Sequence, residues 1–384
     1  MLWLRMKQTA RIISTYTGDT SGVCSALYEL GGLIVMHDPS GCNSTYSTHD
    51  EPRWYDVDSL VFISGLTERD AIFGNDEKVI SDTIVAAKEL NPRFIAIAGT
   101  PIPYITGCDI KSIAFEIESR TGIPAFGFET DGMKSYVHGA SMALSEYCKR
   151  MCVKAKKESD FSINILGVTP LDFSVNGSVK SMKNAFIERG IDVTSVIAMG
   201  SNYKDIENAG SADINLVVSS CGHELAKMFE KKFGTPYIIG TPYGYKFTDM
   251  LADTLKNKHK YDIQQNNIQN SENTKTVIIG ESITSISLAN ALKLEGNIDS
   301  KVISAVETPR EFISNFCINA TDEDDILKFA SDADNIIADP MYRPIFKDNV
   351  NFIELPHEAF SGRIYRNEIP NLIESIDSIL NKLK

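Results

Sequence analysis

Phe94-Ile-Ala-Ile-Ala98 runs directly into Gly99-Thr100-Pro101, and the pattern returns twice: Ile163-Asn-Ile-Leu166 into Gly167-Val168-Thr169-Pro170, and Thr276-Val-Ile-Ile279 into Gly280-Glu281-Ser282. A short β-branched run that breaks into Gly and Thr or Ser, then gives way to an amphipathic stretch, reads as strand, loop and helix. Runs that stay largely apolar rather than alternating belong to strands covered on both faces, as in parallel sheets between helix layers. Helical spacing marks the segments between them. Val175, Val179, Met182 and Phe186 form one stripe, and Ile80, Ile84, Ala87 and Leu90 another. A last stripe, Ile369, Leu372, Ile373, Ile376, Ile379, Leu380 and Leu383, predicts a C-terminal helix. The copies have no fixed period, so the chain is not a solenoid. The fold class predicted is α/β, with three Rossmann-like domains whose mainly parallel sheets are flanked by helices.

Composition places the boundaries. Lys154-Ala-Lys-Lys-Glu-Ser-Asp160 is a charged break, and the stretch from Asn257 to Thr276 is polar and poor in aromatics. The expected domains are 1–155, carrying the candidate cluster cysteines, 160–256 and 275–384, with 257–274 as a polar linker. The acidic run Asp322-Glu-Asp-Asp325 suits a helix N-terminus, where carboxylates favour the dipole.

With 38 Lys and Arg against 51 Asp and Glu, the 384-residue chain carries a net charge of −13. That sign opposes nucleic acid and anionic membrane surfaces as partners. No apolar run approaches the ~20 residues of a membrane helix, and Met1–Gln8 shows no secretory pattern. Seven cysteines, an odd and sparse set, point to reduced thiols in a cytoplasm rather than to a disulfide scaffold. No Gly-x-x-x-x-Gly-Lys-Ser/Thr loop occurs, and Gly280 lacks the further glycines of a dinucleotide fingerprint, so neither ATP nor NAD is expected on this chain.

Two clusters carry the chemistry. In the first, Ser21-Gly22-Val23-Cys24 is followed by His37-Asp38-Pro39-Ser40-Gly41-Cys42. Cys24 is expected at the start of a helix, where the dipole favours thiolate, and Cys42 in a tight loop after the strand Leu33–Met36. Gly41 lets backbone approach a bulky ligand closely. Two loop cysteines at a sheet edge suit thiolate ligation of iron, and equally suit small buried hydrophobes. In the second cluster, Ser219-Ser-Cys-Gly-His-Glu224, Cys221 and His223 sit on a strand-to-helix turn facing a crevice, unless Ser219 or Ser220 caps the helix and Cys221 is simply packed. Cys148 and Cys152 read as two thiols on a helix face, and Cys317 as core. His49, Arg53, Trp54, Tyr136 and His138 read as exposed loop residues, or as lining of a cavity between subunits.

His37-Asp-Pro-Ser-Gly-Cys42 resembles the His-Gly-Pro-x-Gly-Cys loop of nitrogenase component 1 proteins, a family that includes nitrogenase-like reductases. Thr67-Glu-Arg-Asp-Ala-Ile-Phe-Gly74, then Leu90-Asn-Pro-Arg-Phe-Ile-Ala-Ile-Ala98 with Thr100-Pro-Ile-Pro-Tyr-Ile-Thr-Gly-Cys-Asp-Ile110, resemble further family segments in the same order. So do Ala212-Asp-Ile-Asn-Leu-Val217 and Lys231-Lys-Phe-Gly-Thr-Pro236. The resemblance implies an iron–sulfur cluster, of four-iron type, held by Cys24 and Cys42 and shared across a homodimer or with a related second subunit. It also implies electron delivery by an ATP-hydrolysing iron protein, and reduction of a small-molecule or tetrapyrrole-type substrate in an anaerobe's cytoplasm. The family's third cluster cysteine falls at Thr100 or Pro101; Cys108 is then either a ligand through a rearranged loop or a buried thiol. Gly41, Cys221 and His223 are the expected cofactor-pocket residues; the family's late cofactor histidine has no clear match, His357 being the nearest late histidine, so a full molybdenum-type cofactor is not expected. A metallocluster assembly scaffold, or a metal-chelate binding protein of the same fold, is the alternative from another class.

Overall fold

The computed structural model describes residues 17–41, 43, 46–157, 159–200, 202–257 and 274–383. Cys42, the side chain of His49, Met1–Gln8 and all but the ends of the expected linker lie outside the described residues. Among the described residues, thirteen strands form three sheets, and every strand pairing is parallel. The first contains β1 (Leu33–Met36), β2 (Leu60–Ile63), β3 (Ile95–Ala98) and β4 (Ala125–Phe128), in the order β2-β1-β3-β4. The second orders β5 (Ser162–Val168), β6 (Asp192–Ala198), β7 (Ile214–Val217) and β8 (Tyr237–Ile239) as β6-β5-β7-β8. The third has β9 (Thr276–Gly280), β10 (Ser300–Ser304), β11 (Cys317–Asn319), β12 (Asn335–Ala338) and β13 (Asn351–Glu354), ordered β11-β10-β9-β12-β13. Strand order reverses once in each sheet, at β1/β3, β5/β7 and β9/β12. The loops leaving those strands open the crevice where such sheets bind ligands.

The non-alternating runs are buried as expected: every residue of β1, β3, β5, β7 and β9 is buried. One apolar core runs continuously through all three sheets. A second lies on the other face of the first sheet, under the helices Asp76–Leu90 and Ile110–Thr121. Asp322 caps the helix Glu323–Phe329 by accepting from the Asp324 N–H, as the acidic run predicted.

The helix Asp19–Leu27 is buried along its whole length against the helix Tyr136–Met151. Two glycines permit that contact. A Cβ on Gly22 would lie 2.3 Å from the Tyr136 carbonyl oxygen, and one on Gly139 1.9 Å from that of Asp19. No side chain fits at either place, so the two backbones touch.

Three helix expectations are corrected. Cys24 is the sixth residue of its helix, not its first turn, so the dipole does not act on it as a cap. Val175 precedes its helix, which spans Ser178–Ile187, and is exposed. The C-terminal helix is only Asp377–Leu383: Pro370 disfavours helical geometry at Ile369, and the Asn371 side chain accepts from the Ile373 N–H to make a turn instead. Leu372, Ile373, Ile376, Ile379 and Leu380 are nonetheless buried. Among the described residues no helix is long and apolar enough to cross a membrane.

Candidate functional site

The switch-point loops of the second and third sheets converge with the start of the Tyr136 helix on one buried polar junction. Asp172 is its centre. After β5, Thr169-Pro170-Leu171-Asp172 turns into a single helical turn, with Thr169 Oγ1 accepting from the Asp172 N–H (3.2 Å) and donating to Asp172 Oδ2 (2.8 Å). The Tyr136 hydroxyl donates to Asp172 Oδ1 at 2.5 Å, and His357 Nε2 lies 3.7 Å from the same oxygen. Burial, then the negative charge of Glu281, pushes the Asp172 carboxyl up to about 7 against the hydrogen bonds from Tyr136, Thr169 and Ser219.

Further contacts close the junction. Glu281, fully buried after β9, accepts from the Ile283 and Thr284 N–H groups and from the Ser220 N–H and hydroxyl. Ser174 Oγ donates to Glu358 Oε2 (3.0 Å), and Glu358 Oε1 accepts from Arg366 Nη2 (2.6 Å). His357 Nδ1 accepts from the Ala359 N–H (3.2 Å), which leaves the proton of the neutral ring on Nε2. Burial holds that ring down at about 4, so it is neutral at pH 7. Asp172, Tyr243, Glu281, His357 and Phe360 line a cavity of about 60 Å³. That is room for a few waters, well below the ~300–1,000 Å³ of a pocket for a drug-sized ligand.

Cys221 and His223 are close in sequence but face different neighbours. Cys221 is fully buried at the junction, and burial, then Asp172 and Glu281, push its thiol well up. Gly222 seats the turn on β5, where a Cβ would meet the Leu166 carbonyl carbon at 2.5 Å. Neither Ser219 nor Ser220 caps the following helix; Ser219 Oγ donates to the Gly167 carbonyl (2.7 Å). His223 turns instead toward Glu311 of the third sheet's layer, with Nε2 to Oε1 at 3.3 Å and its ring 4.9 Å from that of Phe312. Burial pushes it down to about 4, and its Nδ1 is buried without a partner.

The first cluster is divided by its sheet. Cys24 lies in the core shared with Met36 and Ala98; Cys108, half-buried, packs against the opposite core, with Sγ 3.7 Å from Asp76 Oδ1. The structure does not bring these two thiols together. Burial, then Glu51 and Asp50, raises the Cys24 thiol, the reverse of the effect expected at a helix start. Burial, then Asp76, pushes Cys108 up to about 12. Gly41 is exposed, and a Cβ there would meet no other atom of the chain within 4 Å. Cys148, Cys152 and Cys317 are buried, with Cys152 Sγ 2.9 Å from the Ile206 carbonyl oxygen.

Arg53 and Tyr136 are not the exposed residues the sequence suggested, although Arg53 does lie in a turn. Arg53 is buried against Glu51 (Nε–Oε1 2.6 Å) and Glu29 (Nη1–Oε1 2.8 Å), and it clasps the segment after Cys42 onto the Cys24 helix. Tyr136 opens its helix and is fully buried. Asp172 was missed altogether, although Thr-x-x-Asp before an amphipathic stretch is a helix-start signature.

Residues 26–278 match the family described as nitrogenase component 1 type oxidoreductase. The chain belongs to that family. It is 32% identical over 238 residues to the nitrogenase iron-molybdenum cofactor biosynthesis protein NifE of Clostridium pasteurianum, a match covering 59% of this chain and 50% of the relative. It is 28% identical over 241 residues to the nitrogenase molybdenum-iron protein alpha chain of the same organism, covering 59% and 43%. A light-independent protochlorophyllide reductase subunit of Nostoc punctiforme is 25% identical over 221 residues, covering 55% and 43%. The chain thus spans about half the length of the curated relatives it matches. The solved structure of nitrogenase Cp1 at pH 5 superposes with a TM-score of 0.68 at 17% identity, over 98% of this chain and 90% of that one, which shows a shared fold.

The family raises the question of a metal–sulfur group. Among the described residues, no three His, Cys, Asp or Glu side chains are placed to hold a metal ion. The junction cavity is too small for a multi-iron group and does not fit one. Cys24 fits one position of a site: it is a buried thiol whose proton a metal can replace.

Proposed function

We propose that this chain is a catalytic subunit of a nitrogenase-like reductase. Cys24 and Cys42 are its thiolate ligands to an iron–sulfur cluster completed by a second subunit, identical or related, and an ATP-hydrolysing iron protein is the electron donor. The cluster, when bound, supplies one-electron transfer. The observation that carries the reading is Asp172 at the wall of the junction cavity. Reduction consumes protons as well as electrons. A carboxyl held near 7 holds a proton for part of the time at neutral pH and can release it, which suits a general acid. Tyr136 fixes the position of that carboxyl, and the Nε2 proton of His357 points to a second donor nearby. The cavity volume favours a small molecule over a tetrapyrrole, which needs the domains to part.

A second reading, an assembly scaffold for a metallocluster, is favoured by the 32% identity to NifE. One experiment separates them. Protein purified without oxygen should be brown and contain iron and labile sulfide, and an iron protein with ATP should bleach it. Brown protein that no iron protein reduces, but that passes its cluster to an apo-acceptor, supports the scaffold. Colourless, iron-free protein refutes both.

A further inference from the structure

The loops that leave β5 and β6 wall a second cavity, between the layers of the first and second sheets. Its volume of about 650 Å³ far exceeds that of the junction cavity and lies within the ~300–1,000 Å³ of a ligand pocket. One segment, Ser174–Ser178, divides the two. Asn176 and Ser178 line the junction side, and Ser174, Val175, Gly177 and Ser178 the outer side. Loops at the carboxyl ends of parallel strands are where such sheets take ligands.

Both loops carry backbone strain. Ser174, buried, has φ 52° and ψ −165°, beside the region that only glycine ordinarily occupies, and Ala198, at the end of β6, has φ 110°. The other non-glycine residues with positive φ, among those described, are Asn91 and Asn297, which are ordinary left-handed helix caps, and Ser40 in the first cluster. Strain of this kind persists only where neighbours hold it, and it gathers at ligand clamps. Here Glu358 holds the Ser174 hydroxyl (3.0 Å). Glu29 ties the two layers together: Oε2 accepts from the Gly200 N–H (2.9 Å) and Oε1 from Arg53 Nη1 (2.8 Å). The walls are therefore set before a ligand arrives, which lowers the cost of binding one.

The lining is largely apolar, with a pair of unmatched cations. The helix Ser178–Ile187 buries Met182 and Phe186 in the core and turns Val179, Lys183 and Ile187, spaced i, i+4, i+8, to the cavity. Val57, Val175 and Ile187 are 37%, 44% and 54% exposed, so apolar surface is left open around this concavity. Lys180 and Lys183 bring two ammonium groups, and neither forms an ion pair with a described residue. Lys183 Nζ donates to the Gly200 carbonyl (2.6 Å), which uses one of its three protons and leaves its charge unanswered. An apolar body that ends in an anionic group answers both features. Asp56, on the first sheet's side, repels a second negative charge and so favours a monoanion.

We propose that this cavity is a binding site for an apolar monocarboxylic acid, its carboxylate held by Lys180 and Lys183 and its body by Val57, Val175, Val179 and Ile187. An occupant rests on the same Ser174–Ser178 segment that bounds the Asp172 cavity. The site needs no cluster and stands apart from the reductase reading.

The test is isothermal titration calorimetry on the full chain as purified without oxygen, with hexanoate, heptanoate and octanoate, and with octan-1-ol, octylamine and acetate as controls. Affinity should rise ~4-fold with each methylene buried, the equivalent of ~0.8 kcal/mol, and octanoate should bind more tightly than all three controls. The double change Lys180→Gln with Lys183→Gln should lose ~10–100-fold in octanoate affinity and no longer prefer octanoate to octan-1-ol. Lys180→Arg with Lys183→Arg keeps the charges and should keep octanoate binding, which separates loss of charge from misfolding. Ile187→Asp, at an exposed position, sets a carboxylate in the cavity and should abolish binding. Wild type that binds no octanoate, or binds octan-1-ol, octylamine or acetate as tightly, overturns the proposal. Wild-type affinity in the double Gln variant or in Ile187→Asp overturns it as well, and none of these results bears on the iron and sulfide content that decides the reductase reading.

Discussion

Replacing Asp172 with Asn tests the junction without enzymatic activity. An amide reproduces the protonated acid: Oδ1 still accepts from Tyr136, and Nδ2 donates to Thr169 Oγ1. In the wild type the carboxyl moves from an ordinary 3.8 to about 7 on folding, so between those values the folded chain binds more protons than the unfolded one. Stability therefore falls as pH rises through that window, by about 4 kcal/mol in all (about 3 pH units at ~1.4 kcal/mol each). Asp172→Asn should match wild type near pH 4 and exceed it progressively toward pH 8. Urea unfolding of both proteins at half-unit pH steps, followed by tryptophan fluorescence and circular dichroism, reads the difference directly. His357 titrates in the opposite sense over part of the range, but its contribution is common to both proteins and cancels. Parallel curves from pH 4 to pH 8 would refute the idea that Asp172 is held protonated by burial, and with it the proton-donor role.

Three further outcomes are expected. His357→Gln should flatten the acid limb: the ring sits at about 4 when folded, so wild type loses stability as pH falls from 6.5 toward 4, and urea midpoints across that range should show the loss in wild type alone. Arg53→Met should cost ~3–5 kcal/mol in urea unfolding, because it leaves Glu51 buried and uncompensated, whereas the double change with Glu51→Gln should recover much of the loss. Gly139→Ala should lower the melting temperature by the equivalent of at least ~1–3 kcal/mol, since its methyl group must push the Asp19 backbone away. An exposed control, Gly190→Ala, meets no neighbour and tests instead the cost of its positive φ of 70°.

Strands were legible because their burial is local information. A β-branched run bounded by Gly, Pro or Thr needs nothing else to declare itself, and β1, β3, β5 and β9 came within two residues of their predicted limits. The Ile369 stripe misled for a related reason: apolar spacing records burial, and a turn around Pro370 and Asn371 buries the same side chains as a helix would. Cys24, Cys221 and His357 were legible as residue types, but their environments were not. Whether a thiol is raised or lowered depends on carboxylates brought up by the fold, such as Glu51 beside Cys24 and Glu281 beside Cys221. Asp172 was invisible because its three essential neighbours, Tyr136, Glu281 and His357, come from 36, 109 and 185 positions away in the chain.

The contact between Gly22 and Tyr136 has a mechanical consequence. The Tyr136 backbone rests on the helix of Cys24, while its hydroxyl, at the far end of a rigid ring, holds Asp172. One residue therefore acts as a strut between the thiol region of the first sheet and the carboxyl of the junction. With no side chain at residue 22 to cushion it, a shift of either end is passed to the other at nearly full amplitude. The two places cannot be tuned separately by small packing changes between them, so a variant that moves one should be examined at both.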